Sequence, residues 1–329
     1  MNVAHGVSSL VGSSCAIQEL RCKISAAAAF DEPVLVIGET GVGKELVARA
    51  LHAESARSSR PLQIINCAGV SPELLASEMF GHRSGAFTGA ARSRQGRLRA
   101  ADGSVVVLDE ISETSERFQA TLLRTIETGE IQPLGSDTVA HVDVRFVATT
   151  NHSMSELVSG DCFRRDLFYR LAGIIIEIAP LRDRLEDLPE LTAYFLALLE
   201  QRYGRPRRLS EGALSLLEQQ EYPGNVRELR QVLTRAYGWS EAVRISPSEV
   251  DAALFPAQPC SRTSVETGDL SLEGVVRRHL QRTLALADHN ISQAARLLSI
   301  PRSTLQHYLT KYRIEAPAQR AKQRAAARS

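Results

Sequence analysis

One octapeptide constrains this chain more than any other feature. GETGVGKE (residues 38–45) follows the apolar, β-branched run VLVI (residues 34–37) and opens a stretch with helix-spaced apolar positions. A buried strand that enters a helix through a glycine-rich turn points its backbone N–H groups inward at the helix N-terminus. That geometry holds phosphate oxygens. Gly38, Glu39, Thr40, Gly41, Val42, Gly43, Lys44 and Glu45 are therefore expected to bind ATP, with Lys44 reaching the β- and γ-phosphates. The hydroxyl residue that commonly follows such a lysine is replaced by Glu45, so the Mg2+ ligand expected there is not a hydroxyl.

A phosphate loop of this kind needs a sheet behind it. QII (63–65), VVVL (105–108), VRFVAT (144–149) and IIIEI (174–178) are strand-like, and helix-patterned segments such as 44–56 and 115–127 lie between them. Strand–helix alternation predicts an α/β fold, a parallel sheet covered by helices on both faces. VVVLDE (105–110) ends in two acids at the sheet edge where ligands bind. Asp109 is placed to hold Mg2+, directly or through water, and Glu110 to orient and deprotonate the attacking water. Beyond Pro180 the strand-like runs stop. Residues 186–252 read as helices only, a small helical subdomain.

Composition bounds the remaining classes. The 329 residues are 43% apolar and 23% charged, ordinary for a soluble protein of two or three units. No apolar run is long enough for a membrane span, and the N-terminus lacks the pattern of a signal peptide. Cys15, Cys22, Cys67, Cys162 and Cys260 are scattered, odd in number and without CxxC spacing. They read as reduced thiols of a cytoplasmic protein. His82 and His152 lack metal-ligand spacing and read as solvated or structural. Net charge is +1, but it is unevenly distributed. Residues 255–329 hold 12 Lys+Arg against 5 Asp+Glu, and the remainder 27 against 33. The basic end suggests a polyanion partner.

GAFTGA (residues 85–90) sets two glycines around Phe-Thr, which suits an exposed loop with an apolar tip rather than a core helix. This hexapeptide resembles the hallmark loop of sigma-54-dependent activators, the enhancer-binding AAA+ ATPases. The resemblance spans residues 10–316. It includes GETGVGKE, INCAGV, SEMFGHRSGAFTGA, VVVLDEIS, VDVRFVATTN, FRRDLFYRL, PLRDRLEDLP and YPGNVRELR, in the family's order.

The resemblance implies residue roles. Gly85, Ala86, Phe87, Thr88, Gly89 and Ala90 would contact sigma-54, with Phe87 and Thr88 at the tip. Asn66 would link the state of Glu110 to that loop. Thr150 and Asn151 would sense the γ-phosphate, and Arg164 and Arg170 would reach into a neighbouring subunit's site. Arg227 would report nucleotide to the helical lid. Taken singly, each arginine reads as a surface salt bridge. Leu98 and Arg99 stand where the family usually has Phe-Glu, and Ser104 and Val105 where Gly-Thr is common. Tyr222 replaces a frequent Trp, and Pro133 an Arg thought to pair with the acid replaced by Arg99. Losing both partners is coherent, but leaves open how the two loops are coupled.

At the C-terminal end, Val275, Val276, Leu280 and Leu284 form an apolar stripe. NISQAARLLSIPRSTLQHYLTKY then gives Asn290 as an N-cap, Ala294, Ala295, Leu297 and Leu298 as a packed face, a turn at 299–301, and a second helix with Leu305, Leu309 and Tyr312 inward. This is a helix-turn-helix pattern and resembles the Fis-type module. Arg302, Ser303, Thr304, Gln306, His307 and Lys311 are the candidate DNA contacts.

The expected organisation is a short extension (1–9), an AAA+ α/β ATPase subdomain (10–180), a helical lid (181–254), a linker (255–270), a small all-α helix-turn-helix domain (271–315) and a basic disordered tail (316–329). The expected activity is ATP hydrolysis coupled to remodelling of sigma-54 RNA polymerase. The expected partners are enhancer DNA and further subunits, in a homo-oligomer, hexameric by resemblance, or in a mixed ring with a paralogue. The phosphate loop begins at Gly38, so control by a separate protein, a partner activator, or simply by expression level is expected. A DNA-binding ATPase acting on another target and a co-regulator in a mixed ring with a paralogue are the rival readings; only residues 85–90 separate the first of them from the activator.

Overall fold

The computed structural model describes residues 6–86, 90, 92–159 and 163–254 and, toward the C-terminus, 276–277, 279–281, 283–284, 287, 291–298, 300–312 and 314. They belong to two compact units divided between Pro256 and Ala257. Phe87, Thr88, Gly89, Val275, Asn290, the expected linker and the expected tail lie outside the described residues.

The strands, in chain order, are β1 (Val34–Ile37), β2 (Gln63–Asn66), the short pair β3 (Gly81–His82) and β4 (Arg94–Gln95), β5 (Val105–Asp109), the short pair β6 (Glu130–Ile131) and β7 (Ala140–His141), β8 (Arg145–Thr150), β9 (Ile174–Glu177), β10 (Arg208–Leu209) and β11 (Arg244–Ile245). Five of them form one parallel sheet in the order β2-β5-β8-β1-β9. The strands alternate their side chains between two cores, as the two-residue period of a strand requires. Val34, Val36, Val105, Val107 and Val147 face α1 (Cys15–Ala28) and α2 (Lys44–Glu54). Leu35, Ile37, Val106, Leu108, Phe146 and Ala148 face α3 (Pro72–Phe80) and α5 (Glu116–Thr128). Both faces are covered, which is why these strands are nearly all-apolar runs.

Two short antiparallel pairs escape a reading based on apolar runs, because each strand is only two residues long. In the β3–β4 hairpin, Gly81 pairs with Gln95 and His82 with Arg94. His82 holds it, its ring nitrogens bonded to the Ser77 hydroxyl (2.7 Å) and the Arg92 carbonyl (2.9 Å). Leu98, in α4 (Arg97–Ala100), is fully buried, while Arg99 is exposed. The Phe-to-Leu departure thus remains a core-filling one.

After β9 the chain builds α8 (Leu188–Tyr203), α9 (Glu211–Glu218), α10 (Asn225–Trp239) and α11 (Pro247–Leu254) around a third core. The expectation of helices alone needs one correction. β10 and β11 pair in parallel, with the Arg208 N–H on the Val243 carbonyl (2.9 Å) and the Ser210 N–H on the Ile245 carbonyl (3.0 Å). This clip joins the connections that lead into α9 and α11 by backbone bonds. Tyr222 is buried, its hydroxyl on the Leu217 carbonyl (2.8 Å).

The second unit has its own core of Leu280, Leu284, Ala294, Ala295, Leu305 and Leu309. The helices α12 (Ile291–Leu297) and α13 (Arg302–Lys311) are joined by a turn at Pro301, where a fixed φ suits a helix start. Arg302, Ser303, Gln306, His307 and Lys311 are exposed, at positions three and four apart on one face of α13; Thr304 is half-buried.

A buried carboxylate ties the segment before α1 to the lid. Asp187 accepts the N–H groups of Ser13 (2.9 Å) and Ser14 (2.8 Å) and the Ser14 hydroxyl (2.7 Å). Gly12 lies so close that an added Cβ would come within 2.7 Å of that carboxylate. Asp187→Ala leaves three donors without their acceptor. It is expected to destabilise the first unit by about 2–4 kcal/mol, read as a lowered urea midpoint.

Candidate active site

The strand order decides what meets at the phosphate loop. β8 lies between β1 and β5, so the end of β8 separates the loop after β1 from the acids after β5. The loop leads directly into α2, whose N-cap is Gly43 at φ +108°. Lys44 is buried. Its ammonium donates to the Gly38 carbonyl (2.8 Å) and pairs with the Glu110 carboxylate (3.1 Å). The two halves of the expected site are therefore in direct contact.

Glu110 is the strained residue of this site. Its φ of 55° and ψ of 53° are left-handed, a conformation that costs a non-glycine residue about 1–2 kcal/mol. Three contacts hold it there. Its N–H donates to the Thr149 hydroxyl (3.1 Å), one carboxylate oxygen takes the Asn151 N–H (3.1 Å), and the other faces Lys44. Thr149 donates in turn to Asp109 Oδ1 (2.6 Å). Thr149 is thus a site residue that sequence reasoning missed, one position before the expected sensor pair. Thr150 is buried against the Ser112 hydroxyl (3.0 Å), and Asn151 is exposed.

Some expected residues are not brought to the site. The Glu45 side chain turns away, its carboxylate on Arg49 (2.5 and 2.9 Å), because four residues along α2 place those two side chains on one outer face. Asn66 stands beside Asp109 in the β2–β5 register, but its side-chain oxygen accepts the Ala68 N–H (2.8 Å) and makes no bond to Glu110. Arg164, between α6 (Met154–Ser159) and α7 (Arg165–Leu171), pairs with Asp166 (2.7 Å) and lies 3.8 Å from Glu116. The guanidinium of Arg164 holds the Asp166 carboxyl below the usual carboxylate range. Arg170 is exposed on α7.

The lid meets the loop residue by residue. Arg182 forms a two-pronged pair with Glu39 (2.6 and 2.8 Å). The Asn225 amide donates to Glu39 (3.1 Å) and to the Thr40 carbonyl (3.1 Å). The Arg227 N–H reaches the Gly41 carbonyl (3.3 Å), and Arg184 the Val42 carbonyl (3.3 Å). Gly41 permits this approach. An added Cβ would run into the Gly224 carbonyl and lie 2.9 Å from the Arg227 Cβ. Of the lid residues only Arg227 was expected. Arg182, Arg184 and Asn225 lie inside PLRDRLEDLP and YPGNVRELR, whose spacing does not reveal their partners.

The base of the GAFTGA segment is also built. The Gly85 N–H donates to the Ala90 carbonyl (2.9 Å), closing the loop at its two ends. Below it, the Arg83 N–H donates to the Leu134 carbonyl (3.0 Å) and the Leu134 N–H to the Gly81 carbonyl (2.9 Å). Gly135 packs so tightly that an added Cβ would lie 2.9 Å from the Ala86 Cβ. The segment containing Pro133 is therefore joined to the hairpin by backbone, with no ion pair needed. A cavity of about 570 Å³ lies beside this junction, lined by Phe80, Ala86, Phe118 and Pro133.

Residues 10–177 match the sigma-54 interaction domain. The chain belongs to that family. Residues 182–267 match the AAA+ ATPase lid domain, and residues 271–312 the Fis family of bacterial regulatory proteins. The chain is 43% identical over 304 residues to the transcriptional regulatory protein ZraR of Klebsiella oxytoca, covering 90% of this chain and 67% of that one. It is 45% identical over 263 residues to the Nif-specific regulatory protein of Enterobacter agglomerans, covering 80% and 50%. NtrX from Brucella abortus, solved in complex with ATP, superposes with a TM-score of 0.71 at 28% identity, covering 92% of this chain and 69% of that chain. A RuvB mutant from Thermotoga maritima, at a TM-score of 0.53 and 16% identity, shares the fold alone. This family member is an AAA+ ATPase with a helical lid and a helix-turn-helix module, and a transcription regulator. No helix among the described residues is long and apolar enough to cross a membrane.

Two substitutions separate binding from turnover. Lys44→Ala is expected to lower affinity for a fluorescent ATP analogue about 100-fold or more, because a buried charge aimed at phosphate is lost. Glu110→Gln is expected to retain that affinity within a few-fold while hydrolysis falls by about 10²–10⁴.

Proposed function

We propose that this ATPase activates sigma-54 RNA polymerase from enhancer DNA, by moving the GAFTGA loop in step with the state of its nucleotide. The observation that carries this reading is the path from Glu110 to the hairpin. Glu110 opens the turn at residues 111–113, which leads into α5; the chain after α5 returns through Leu134 to bond Gly81 and Arg83 beneath residues 85–90. A change at Glu110 thus has a continuous route through α5 and Leu134 to the base of the loop.

Each residue takes a role from its place. The loop from Gly38 to Val42 and Lys44 hold the phosphates of ATP. Asp109 would hold Mg2+. Hard carboxylate and phosphate oxygens suit that ion, which neutralises phosphate charge when bound. Glu110 takes the proton of the attacking water, and to do so its carboxylate leaves Lys44. Thr150 and Asn151 read the γ-phosphate, and Asn66 exchanges its present bond to Ala68 for one to Glu110. Arg164 and Arg170 serve a neighbouring subunit's ATP in a ring; there Arg164 gives up Asp166 for phosphate. Arg227 follows the nucleotide from the lid. Phe87 and Thr88 touch sigma-54. Arg302, Ser303, Gln306, His307 and Lys311, with Thr304, bind DNA.

An assay of open-complex formation by sigma-54 polymerase on supercoiled DNA tests this reading. Thr88→Ala should abolish open complexes and spare both ATP turnover and DNA binding; transcription that persists refutes the reading. For the ring, a mixture of inactive Lys44→Ala and Arg164→Ala chains should recover part of the ATP turnover, because some junctions then combine two intact halves. No recovery excludes a site shared between subunits.

A further inference from the structure

Asn225 begins α10 in a left-handed conformation, φ +50°, and is fully buried. Its side chain joins three pieces of chain. The amide nitrogen donates to Glu39 Oε2 and to the Thr40 carbonyl, both at 3.1 Å. The amide oxygen accepts the Leu181 N–H at 2.7 Å, where the chain leaves the sheet for the lid. Both ends of one amide are used, a donor and an acceptor fixed on one flat group.

Glu39 is an odd neighbour for a phosphate site. A carboxylate in a loop that must accept the anionic phosphates of ATP repels them unless it is turned aside and neutralised. Arg182, first, and Asn225 do this, holding the Glu39 carboxyl below its ordinary range. Glu39 thereby becomes a handle on the loop that faces the lid.

We propose that Glu39 and Asn225, with Arg182, form a latch that makes α10, and with it Arg227, follow the conformation of the phosphate loop. They are positioning residues for ATP turnover. Bonds from one rigid amide to two consecutive loop residues fix angle as well as distance, so a shift of Glu39–Thr40 is passed to the first turn of α10. The Arg227 N–H on the Gly41 carbonyl lies two residues further along the same turn and reports that alignment. The proposal rests on ATP turnover at this loop.

Asn225→Asp keeps a residue type that tolerates the left-handed backbone. It sets a second carboxylate against Glu39 and removes the donor to Thr40. In nucleotide-free protein, deuterium exchange in a peptide spanning 225–229 should quicken at least threefold, and kcat/KM for ATP should fall at least threefold. Adding Glu39→Gln to the same chain restores a donor facing the new carboxylate, and should return both readings to within threefold of the unsubstituted protein. A merely structural role for Asn225 predicts no such rescue. Exchange altered by less than threefold, or failure of the second substitution to restore it, overturns the latch. If Asn225→Asp does not fold, Arg182→Ala, at a surface position, decides. It should quicken exchange in the same peptide at least threefold, and a smaller change overturns the proposal. Absence of ATP turnover by the unsubstituted chain would count against the ATPase reading alone, because the exchange measurement needs no nucleotide.

Discussion

The seam between the phosphate loop and the lid is the contact on which the rest of the structure depends. Residues Glu39, Thr40, Gly41 and Val42 each hold a lid group, through Arg182, Asn225, Arg227 and Arg184. A glycine-rich loop has little stiffness of its own. Its shape is set by what it touches, and on one side that is the lid. The sheet supplies the other side, through Lys44 and Glu110. A loop clamped between two bodies can relay the presence of a phosphate to both.

The clamp is made mostly of polar groups, and partly buried. Buried polar groups contribute through satisfaction and direction more than through net stability. Asp187, with three donors, fixes the segment before α1 against the lid by the same means. Two apolar cores hold the sheet and its helices and a third holds the lid's helices; the polar seam sets the alignment of sheet and lid.

At the end of β5, strain and backbone pairing take over. Glu110 is kept left-handed by Thr149, Asn151 and Lys44, so its conformation depends on groups that face the nucleotide site. From there α5 leads to the Leu134 junction with the β3–β4 hairpin. Arg99 and Pro133 stand where the family resemblance implies an acid and an arginine paired between two loops. The hairpin and the Pro133 segment stay joined because Gly135 lets the backbone approach Ala86 and Leu134 bonds in both directions. Backbone bonds do not depend on side-chain identity, so this coupling survives the substitution of both residues.

The sequence by itself determined the parallel α/β sheet, the phosphate loop, the Asp-Glu pair after β5 and the helical turn motif of the second unit. Each is written in local pattern: apolar runs of a strand's length, glycines at a strand-to-helix turn, a helix period with polar residues on one face. Gly41 announced a phosphate loop, but not that its lack of a Cβ also admits the lid. Thr149, Arg182, Arg184, Asn225 and Asp187 were invisible because their partners lie far along the chain, Asn225 more than 180 positions from Glu39. Nothing in spacing reveals such a pair; it exists only once strand order and lid placement bring the two together. The two-residue strands stayed hidden for a related reason, since pairings so short carry no periodicity. Glu45 and Asn66 show the converse. They lie in motifs read from the sequence, but local geometry, an i,i+4 partner and a turn onto Ala68, decides where their side chains go.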